Sequence, residues 1–577
     1  MHHIAYVTAE IGLTTAIPTY SGGLGVLAGD HVKAAADLGI PLIGITLFYK
    51  RGYGKQSIDA YGEQHLDFPL CEPSDVLEDS GIQVEMAFEG EIVRIHAWKR
   101  IVKGRSGHTV PVLFLDSDID GNSPVWRPVS NLLYGGDNLN RLRQEAILGL
   151  GGYEVLKALG VTDDLHAHLN EGHTAFFAAA MLRDLGDVET TRQRVHFTTH
   201  TPVAAGYDRF KHADVQRVVG KYVPPSVSHL GGESELNMAW LAAALADSVN
   251  GVSVINAQVA TTLFRDVAIE SVTNGVHFDT WVAPEMGALY DHYLPGWRFK
   301  PERLRDVQMI DETDFDRARR RAKRELLEYA NGETQLGFDA EVLTLGFARR
   351  VAPYKRATLI FSDLERLLDI GRGRIQILFA GKAHQNDSEG RKLVRELVAM
   401  SLKLRGDLRV GFLPNYNMWL GHKLTAGVDV WLNNPVRPLE ACGTSGMKAV
   451  LNGVPNLSIL DGWWAEGCVD GVNGWAIGQN WDERDDDRDA DALYEALETR
   501  VLPAYYGDHV AWRAMQRAAI ATAPAFSADR MVREYASRYY RMELPEETGA
   551  PSRNSRATLS DIIMPLPTVP ASFRARS

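Results

Sequence analysis

A lysine that follows a turn of small polar residues is the first feature with clear chemical potential. Residues 443–448 (GTSGMK) come after the apolar run VDVWLN and lead into the helix-like AVLNG. The amides and hydroxyls of such a turn, at the amino end of a helix, bind anions such as phosphate. Cationic surroundings disfavour the ammonium form of Lys448, and a free amine is what a covalent link to a carbonyl compound requires. A surface lysine after a loop would give the same pattern.

Four cations follow a second apolar run, VLTLGFA. They are Arg349, Arg350, Lys355 and Arg356, and Pro353 stiffens the loop between them. Guanidinium and ammonium groups both suit phosphate, and four of them this close repel one another unless anions compensate. The pattern favours a phosphate site, with a solvated basic turn as the alternative.

A glycine-rich loop follows the first apolar run of the chain. Residues 20–30 (YSGGLGVLAGD) include Gly22 and Gly23 and run into the helix-like HVKAAADLG. Without Cβ atoms, backbone amides approach an anion closely, and the helix terminus attracts negative charge. The loop is suited to a phosphate or phosphosugar, although tight packing alone also explains it.

Two further segments carry polar groups at the expected ends of strands. They are HAHLNEGH at 166–173, with three histidines and a glutamate, and TTHTP at 198–202, with one histidine. His166 and His168 share one face of a strand, so a metal site with Glu171 or His173 is conceivable. Such pairs usually hydrogen-bond within a core, so we predict no metal. We expect His200 to hold a sugar hydroxyl.

The pattern of predicted strands and helices that position these residues is typical of an α/β protein. Continuous apolar runs at 3–9, 41–49, 110–116, 195–200, 342–350, 375–381 and 428–433 are typical of buried parallel strands, with helices between them. Ligands bind at the carboxyl ends of such sheets. We predict domains at 1–335 and 336–502, helices at 503–540 that cross back to the first domain, and a disordered tail at 541–577.

Composition limits the classes of function. The 577 residues are 45% hydrophobic and 23% charged, as in folded globular proteins. A net charge of -13 disfavours nucleic acid and anionic membranes as partners. Three cysteines without a CxxC pair predict neither disulfides nor a cysteine zinc site. With no signal peptide and no apolar run near the ~20 residues of a membrane span, we expect a cytoplasmic protein.

Together and in this order, these segments resemble the glycogen and α-glucan phosphorylases, especially their shorter bacterial lineage. The likeness covers residues 4–540 and is most specific in PLEACGTSGMKAVLNGVPNLSILDGWWAEG, with support from YSGGLGVLAGDHVKAAADLG, HLNEGH, FTTHTPVAAGYDRF, TNGVHFDTW, FARRVAPYKRA and GVDVWLNNP. It implies two doubly wound Rossmann-like domains facing a central cleft, the GT-B fold. It also implies retaining phosphorolysis of an α-1,4-glucan or oligosaccharide by inorganic phosphate to glucose 1-phosphate, or the reverse transfer.

The resemblance also assigns residues. The implied cofactor is pyridoxal 5'-phosphate, whose phosphate relays a proton in this family, and its expected site is Lys448, Thr444, Ser445, Gly446, Arg349, Gly22 and Gly23. The residues matching those that hold substrate phosphate or sugar are Arg350, Lys355, Tyr354, Gly443, His200, Asn250 and Glu440. Of these, the catalytic set is Lys448, Arg350, Lys355, His200 and Glu440.

Four positions depart from the family pattern: Cys442, Asn417, Asn256 and Pro353. Two other functions therefore stay open. One is a nucleotide-sugar glycosyltransferase or glucan synthase on the same fold, and the other is a weakly active glycan-binding relative. The sequence is also compatible with Glu171 and Glu440 as the retaining or inverting carboxyl pair of a glycoside hydrolase. The distance between the two carboxyl groups, which distinguishes these mechanisms, does not follow from the sequence. The oligomeric state is open as well, with a homo-oligomer as one option.

Overall fold

The computed structural model describes residues 3–264, 266–480 and 483–544. Most of its strands belong to two large sheets. In chain order the strands are β1 His3–Thr8, β2 Leu42–Leu47, β3 Lys55–Ile58, β4 Gln64–Asp67, β5 Glu78–Phe88, β6 Glu91–Lys103, β7 Thr109–Asp116, β8 Leu165–Asn170, β9 Val195–Thr199, β10 Arg209–Phe210, β11 Leu236–Asn237, β12 Ser248–Gly251, β13 Ile269–Ser271, β14 Leu343–Ala348, β15 Ile375–Ala380, β16 Arg409–Leu413, β17 Val430–Asn433, β18 Asn456–Ile459 and β19 Gly474–Ile477.

Helices connect these strands and cover both sheets. In chain order they are α1 Gly23–Leu38, α2 Pro73–Val76, α3 Asn138–Ala146, α4 Gly152–Ala158, α5 Ala175–Leu185, α6 Val188–Arg192, α7 His212–Val218, α8 Val227–Leu230, α9 Met238–Ala244, α10 Val254–Leu263, α11 Phe278–Trp281, α12 Pro284–Tyr293, α13 Glu312–Thr334, α14 Leu364–Gly371, α15 Ser388–Lys403, α16 Met418–Gly427, α17 Thr444–Leu451, α18 Trp464–Gly467, α19 Asp486–Ala496, α20 Leu502–Gly507, α21 His509–Thr522 and α22 Ala528–Arg538.

The first sheet has nine strands in the order β13-β12-β9-β8-β1-β2-β7-β6-β5. Its strands pair in parallel from β13 to β7, and only β6 and β5 are antiparallel. Strand β1 lies where the order reverses, with Ile4 paired to Leu42 on one side and to His166 on the other. The loops after β1 and β8 therefore open at a topological switch point, where doubly wound sheets bind ligands.

The second sheet repeats this plan with six parallel strands in the order β16-β15-β14-β17-β18-β19. Its switch point is β14, all of whose six residues are buried. Burial on both faces accounts for the apolar run VLTLGFA. The α/β fold predicted from the sequence is confirmed, and the segment after β14 carries Arg349 and Arg350.

A buried cluster joins the two sheets below their facing edges. It combines Val26 and Trp281 with Met418, Met447 and Ile520, all less than a tenth exposed. Helix α13 packs on α12 and α16. Its Arg319 guanidinium donates hydrogen bonds to the carbonyls of Ala426, Asn452 and Val428, all in the part of the chain that forms the second sheet. The edges that face each other are therefore held by shared packing.

The chain returns to the first sheet at its end. Helix α22 packs on α1, and the Tyr540 hydroxyl lies 2.6 Å from His168 Nδ1. Of the tail predicted to be disordered, only residues 541–544 are described. Within the described ranges, no helix is long and apolar enough to cross a membrane.

Candidate active site

A cavity of about 910 Å³ lies between the carboxyl edges of the two sheets. The first sheet contributes the loops after β1, β8 and β9, and the second contributes the loop after β14 and the start of α17. Twelve of the residues predicted from the sequence line this cavity: Gly22, Gly23, His200, Arg349, Arg350, Tyr354, Lys355, Glu440, Gly443, Thr444, Ser445 and Lys448. Segments up to 426 residues apart thus meet at one site.

Lys448 is buried at the base of the cavity. Its Nζ lies 3.6 Å from the centre of the Trp281 ring, and the Trp281 indole donates a hydrogen bond of 2.8 Å to Asp30. Burial lowers the pKa of the Lys448 amine to about 8, against the opposing effect of Asp30. A larger fraction of the amine is therefore uncharged near neutral pH than for an exposed lysine.

The start of α17 forms a polar cradle beside this amine. Gly443 has φ 84°, a left-handed conformation that glycine adopts without strain, and it turns the chain into the helix. The half-buried Thr444 and Ser445 line the cavity. Gly446 does not line the cavity. It packs against Asn456 so closely that a Cβ at position 446 would overlap the side-chain amide oxygen of Asn456. The glycine of this motif is thus needed for packing of the cradle.

The cations after β14 divide into two kinds. Lys355 Nζ lies 2.6 and 2.7 Å from the two oxygens of Glu440, and the Arg349 guanidinium donates to the same carboxylate at 2.7 Å. Burial raises the pKa of Glu440, but these two cations outweigh it and lower that pKa to about 2. In the described part of the chain Arg350 forms no ion pair, so its guanidinium is available to an anion in the cavity.

On the opposite wall, the loop after β9 is held by Glu171. This carboxylate accepts hydrogen bonds from the backbone amides of His200 at 2.9 Å and Thr201 at 3.0 Å. His200 Nε2 lies 2.7 Å from Asn170 Oδ1, so this nitrogen carries the proton. Burial lowers the pKa of His200 to about 3, which keeps the ring neutral. Glu171 is therefore a structural anchor of this loop, with its oxygens occupied by backbone donors.

One predicted sugar-binding residue lies elsewhere. Asn250 is fully buried in β12, where its side chain contacts His196 at 2.8 Å and Tyr535 at 3.0 Å, and it does not line the cavity. The assignment of Asn250 to the sugar site is corrected on this ground. Asn274, in the TNGVHFDTW segment, lines the cavity instead, and its buried Oδ1 has no hydrogen-bond partner among the described residues.

Sequence reasoning also missed a group around Glu10. Its carboxylate accepts hydrogen bonds from the Ser21 amide at 2.6 Å, the Gly22 amide at 3.4 Å and the Tyr134 hydroxyl at 2.7 Å. All four residues line the cavity. The sequence signal that could have found this group is the segment GGDN directly after Tyr134, a second glycine-rich loop. It follows no strand, unlike the other candidate loops.

Two of the four departures from the family pattern, Asn417 and Asn256, have local explanations. Asn417 caps α16 by accepting a hydrogen bond from the Leu420 amide at 3.0 Å, and Asn256 accepts one from Val252 at 3.0 Å. Cys442 is buried beside the cavity, and burial raises the pKa of its thiol. The two asparagines therefore support loops of the site without adding a charge to it.

Comparison with known proteins gives consistent similarities. The sequence model of a family described as carbohydrate phosphorylase matches residues 208–467. The chain is 39% identical to a maltodextrin phosphorylase of Thermococcus litoralis over 93% of this chain and 70% of that protein. It is 39% identical to a glycogen phosphorylase of Mycobacterium tuberculosis over the same shares, and 36% identical to one of Aquifex aeolicus over 94% of this chain and 87% of that protein.

Proposed function

Because the chain belongs to the carbohydrate phosphorylase family, we propose that it is an α-glucan phosphorylase that transfers a glucosyl unit between an α-1,4-glucan and inorganic phosphate. The product in one direction is glucose 1-phosphate, with retained configuration. The observation that carries this proposal is the convergence of an unpaired Arg350, a buried lysine amine and a helix-terminal cradle in one cavity.

The proposed cofactor is pyridoxal 5'-phosphate, and the residues around Lys448 fit it. The buried amine with its lowered pKa suits covalent attachment, and the hydroxyls and amides of Thr444 and Ser445 suit a phosphate at the amino end of α17. Arg349 and the loop of Gly22 and Gly23 complete the proposed site. When bound, the cofactor supplies a phosphate that acts as a proton relay.

Arg350 and Lys355 are the proposed holders of substrate phosphate. Arg350 is free to form paired hydrogen bonds with two phosphate oxygens. Lys355 is oriented by Glu440, which binds it through both oxygens and keeps it at the cavity wall. Both cations line the cavity, where they would balance the negative charge of a bound phosphate. That phosphate would in turn stabilise the positive charge that develops on the sugar carbon.

The proposed glucosyl site lies between His200, Tyr354 and the Glu440–Gly443 segment. A neutral His200 offers hydrogen-bonding capacity to a sugar hydroxyl without placing a positive charge near the developing oxocarbenium ion. We add Asn274 to this site, because a buried carbonyl oxygen without a partner gains a hydrogen bond when a hydroxyl binds.

The division into domains at 1–335 and 336–502, with 503–540 crossing back, is also retained as a proposal. The three cysteines are unpaired, which suits the reducing cytoplasm that we propose as its location.

The experiment is to measure release of glucose 1-phosphate from maltodextrins of defined length, with and without inorganic phosphate. Phosphate-dependent release is expected. Arg350→Gln should raise the KM for phosphate, whereas Arg317→Gln, an exposed arginine on α13, should not. Turnover of a sugar nucleotide without phosphate would instead favour the glycosyltransferase, and no turnover of any donor would favour the glycan-binding relative.

A further inference from the structure

Tyr134 adopts an unusual backbone conformation at the edge of the cavity. Its φ is 58°, in the left-handed region that residues other than glycine rarely occupy. It is followed by Gly135 and Gly136, and all three line the cavity. A residue in such a conformation persists only where its surroundings hold it, and such residues cluster at functional sites.

Three contacts hold Tyr134. Its hydroxyl donates to Glu10 Oε1 at 2.7 Å, and the Arg141 guanidinium lies 5.3 Å from the centre of its ring. Its carbonyl accepts a hydrogen bond of 3.1 Å from His384 Nε2. The first two partners belong to the part of the chain that forms the first sheet, whereas His384 follows β15 of the second sheet.

The tautomer of His384 is fixed by its other nitrogen. Nδ1 accepts a hydrogen bond from the Asn386 amide at 3.2 Å, so the proton is on Nε2, where Tyr134 needs a donor. Burial also lowers the pKa of this imidazole, which favours the neutral ring. Tyr53 packs at a centroid distance of 5.7 Å from the same ring.

The backbone before His384 is anchored as well. Gln64, in the β3–β4 hairpin, pairs with both the amide and the carbonyl of Ala383 at 2.9 Å. Gln56 of the same hairpin donates to the Gly381 carbonyl at 2.8 Å. These two glutamines are less than a tenth exposed, so the hairpin fixes the segment that presents His384.

On the far side of Tyr134, the contacts continue to the glycine loop. The second oxygen of Glu10 accepts the Ser21 amide at 2.6 Å and the Gly22 amide at 3.4 Å. Hydrogen bonds at the two ends of Tyr134, its backbone carbonyl and its hydroxyl, therefore connect His384 to Glu10 and so to the loop that faces the proposed phosphate sites.

We propose that His384 is a positioning residue for the phosphorolysis reaction: by holding the Tyr134 carbonyl from the opposite sheet, it fixes the glycine loop and the Gly135–Gly136 loop in reacting geometry. This inference rests on the proposed function. It assigns a reaction role to a residue whose side chain does not line the cavity.

The test compares two amide substitutions of nearly equal polarity. In His384→Gln the amide nitrogen reaches the position of Nε2, whereas in His384→Asn it reaches only that of Nδ1. We expect kcat/KM for phosphate to fall roughly fivefold in His384→Asn, the effect of one net hydrogen bond, and to stay near the wild-type value in His384→Gln. Equal activities of the two variants would overturn the proposal.

Hydrogen exchange measured by mass spectrometry gives a readout independent of activity. In His384→Asn, exchange should accelerate at residues 134–138 and also at 20–23, and His384→Gln should restore protection at both. Acceleration confined to 134–138, or a lowered melting temperature with unchanged exchange at 20–23, would show that His384 only stabilises its own contact. Wild-type protein without phosphorolysis would refute the proposed function, while the exchange result would still decide the role of His384.

Discussion

The ion pairs of Glu440 lead to a quantitative prediction for Glu440→Gln. This buried carboxylate is contacted by Lys355 at 2.6 Å and by Arg349 at 2.7 Å, and its pKa falls from the ordinary 4.5 to about 2. Since one pH unit corresponds to about 1.4 kcal/mol, the ionised form contributes roughly 3 kcal/mol to the free energy of unfolding. Removing one partner of a buried pair typically costs about 3–5 kcal/mol, which agrees in size.

The sign of the pH dependence follows from the lowered pKa. A carboxylate whose pKa is lower in the folded state contributes its full stability above the unfolded value of 4.5, and loses it as the pH falls towards about 2. Glu440→Gln should therefore be about 3 kcal/mol less stable than wild type at pH 7, with a difference that shrinks below pH 4.5.

The assay is urea unfolding at a series of pH values, without phosphate. Glu498→Gln is the matched control, because Glu498 is 53% exposed and lies 3.9 Å from its partner Arg366. Equal stability of the two variants at pH 7, or a Glu440→Gln difference that persists unchanged below pH 4.5, would refute the reasoning.

Three further predictions concern the Lys448 amine, the glycine loop and the attachment of α13 to the second sheet. The rate at which apo-protein takes up pyridoxal phosphate, followed by absorbance, should rise as the pH passes about 8, because deprotonated Lys448 is the reactive form; a rate independent of pH would contradict this. Gly29→Ala should lower the melting temperature sharply, since a Cβ would overlap a carbonyl oxygen of the facing loop, whereas Gly22→Ala has open space and should melt as wild type. Arg319→Met should cost about 3 kcal/mol in urea unfolding by leaving three carbonyls unpaired, whereas the exposed Arg320→Met should change little.

Much of the fold could be predicted from the sequence because buried parallel strands leave a strong local signal. The runs at 342–350 and 375–381 contain β14 and β15, whose residues are all buried. Candidate site residues that directly follow such strands, such as Arg349 and His200, meet at the cavity because parallel strands end at a common edge. For these positions, local pattern and topology are sufficient.

The sugar site shows why the rest could not be predicted. The triplet Asn-Gly-Val occurs at 250–252, 274–276 and 452–454, and the first two copies both follow or end a strand of the first sheet. The first asparagine lies inside β12 and points into a buried hydrogen-bond network, whereas the second follows β13 and reaches the cavity. Local sequence does not distinguish the two, because the difference depends on where each strand ends.

Contacts between distant segments are equally invisible to local patterns. The bond from His384 to Tyr134 joins residues 250 positions apart and depends on the hairpin that fixes the backbone before His384. No spacing rule indicates such a pair, and the left-handed conformation of Tyr134 has no signature in its residue type.

The most direct test of the central claim is chemical mapping of Lys448. The purified protein should absorb in the near ultraviolet as lysine-bound pyridoxal does, and borohydride reduction followed by peptide mass spectrometry should place the label on Lys448. Lys33, a half-buried lysine near Asp30, is the internal control and should stay unlabelled. A protein that has no such absorption after incubation with pyridoxal phosphate, or that carries the label on another lysine, would contradict the account.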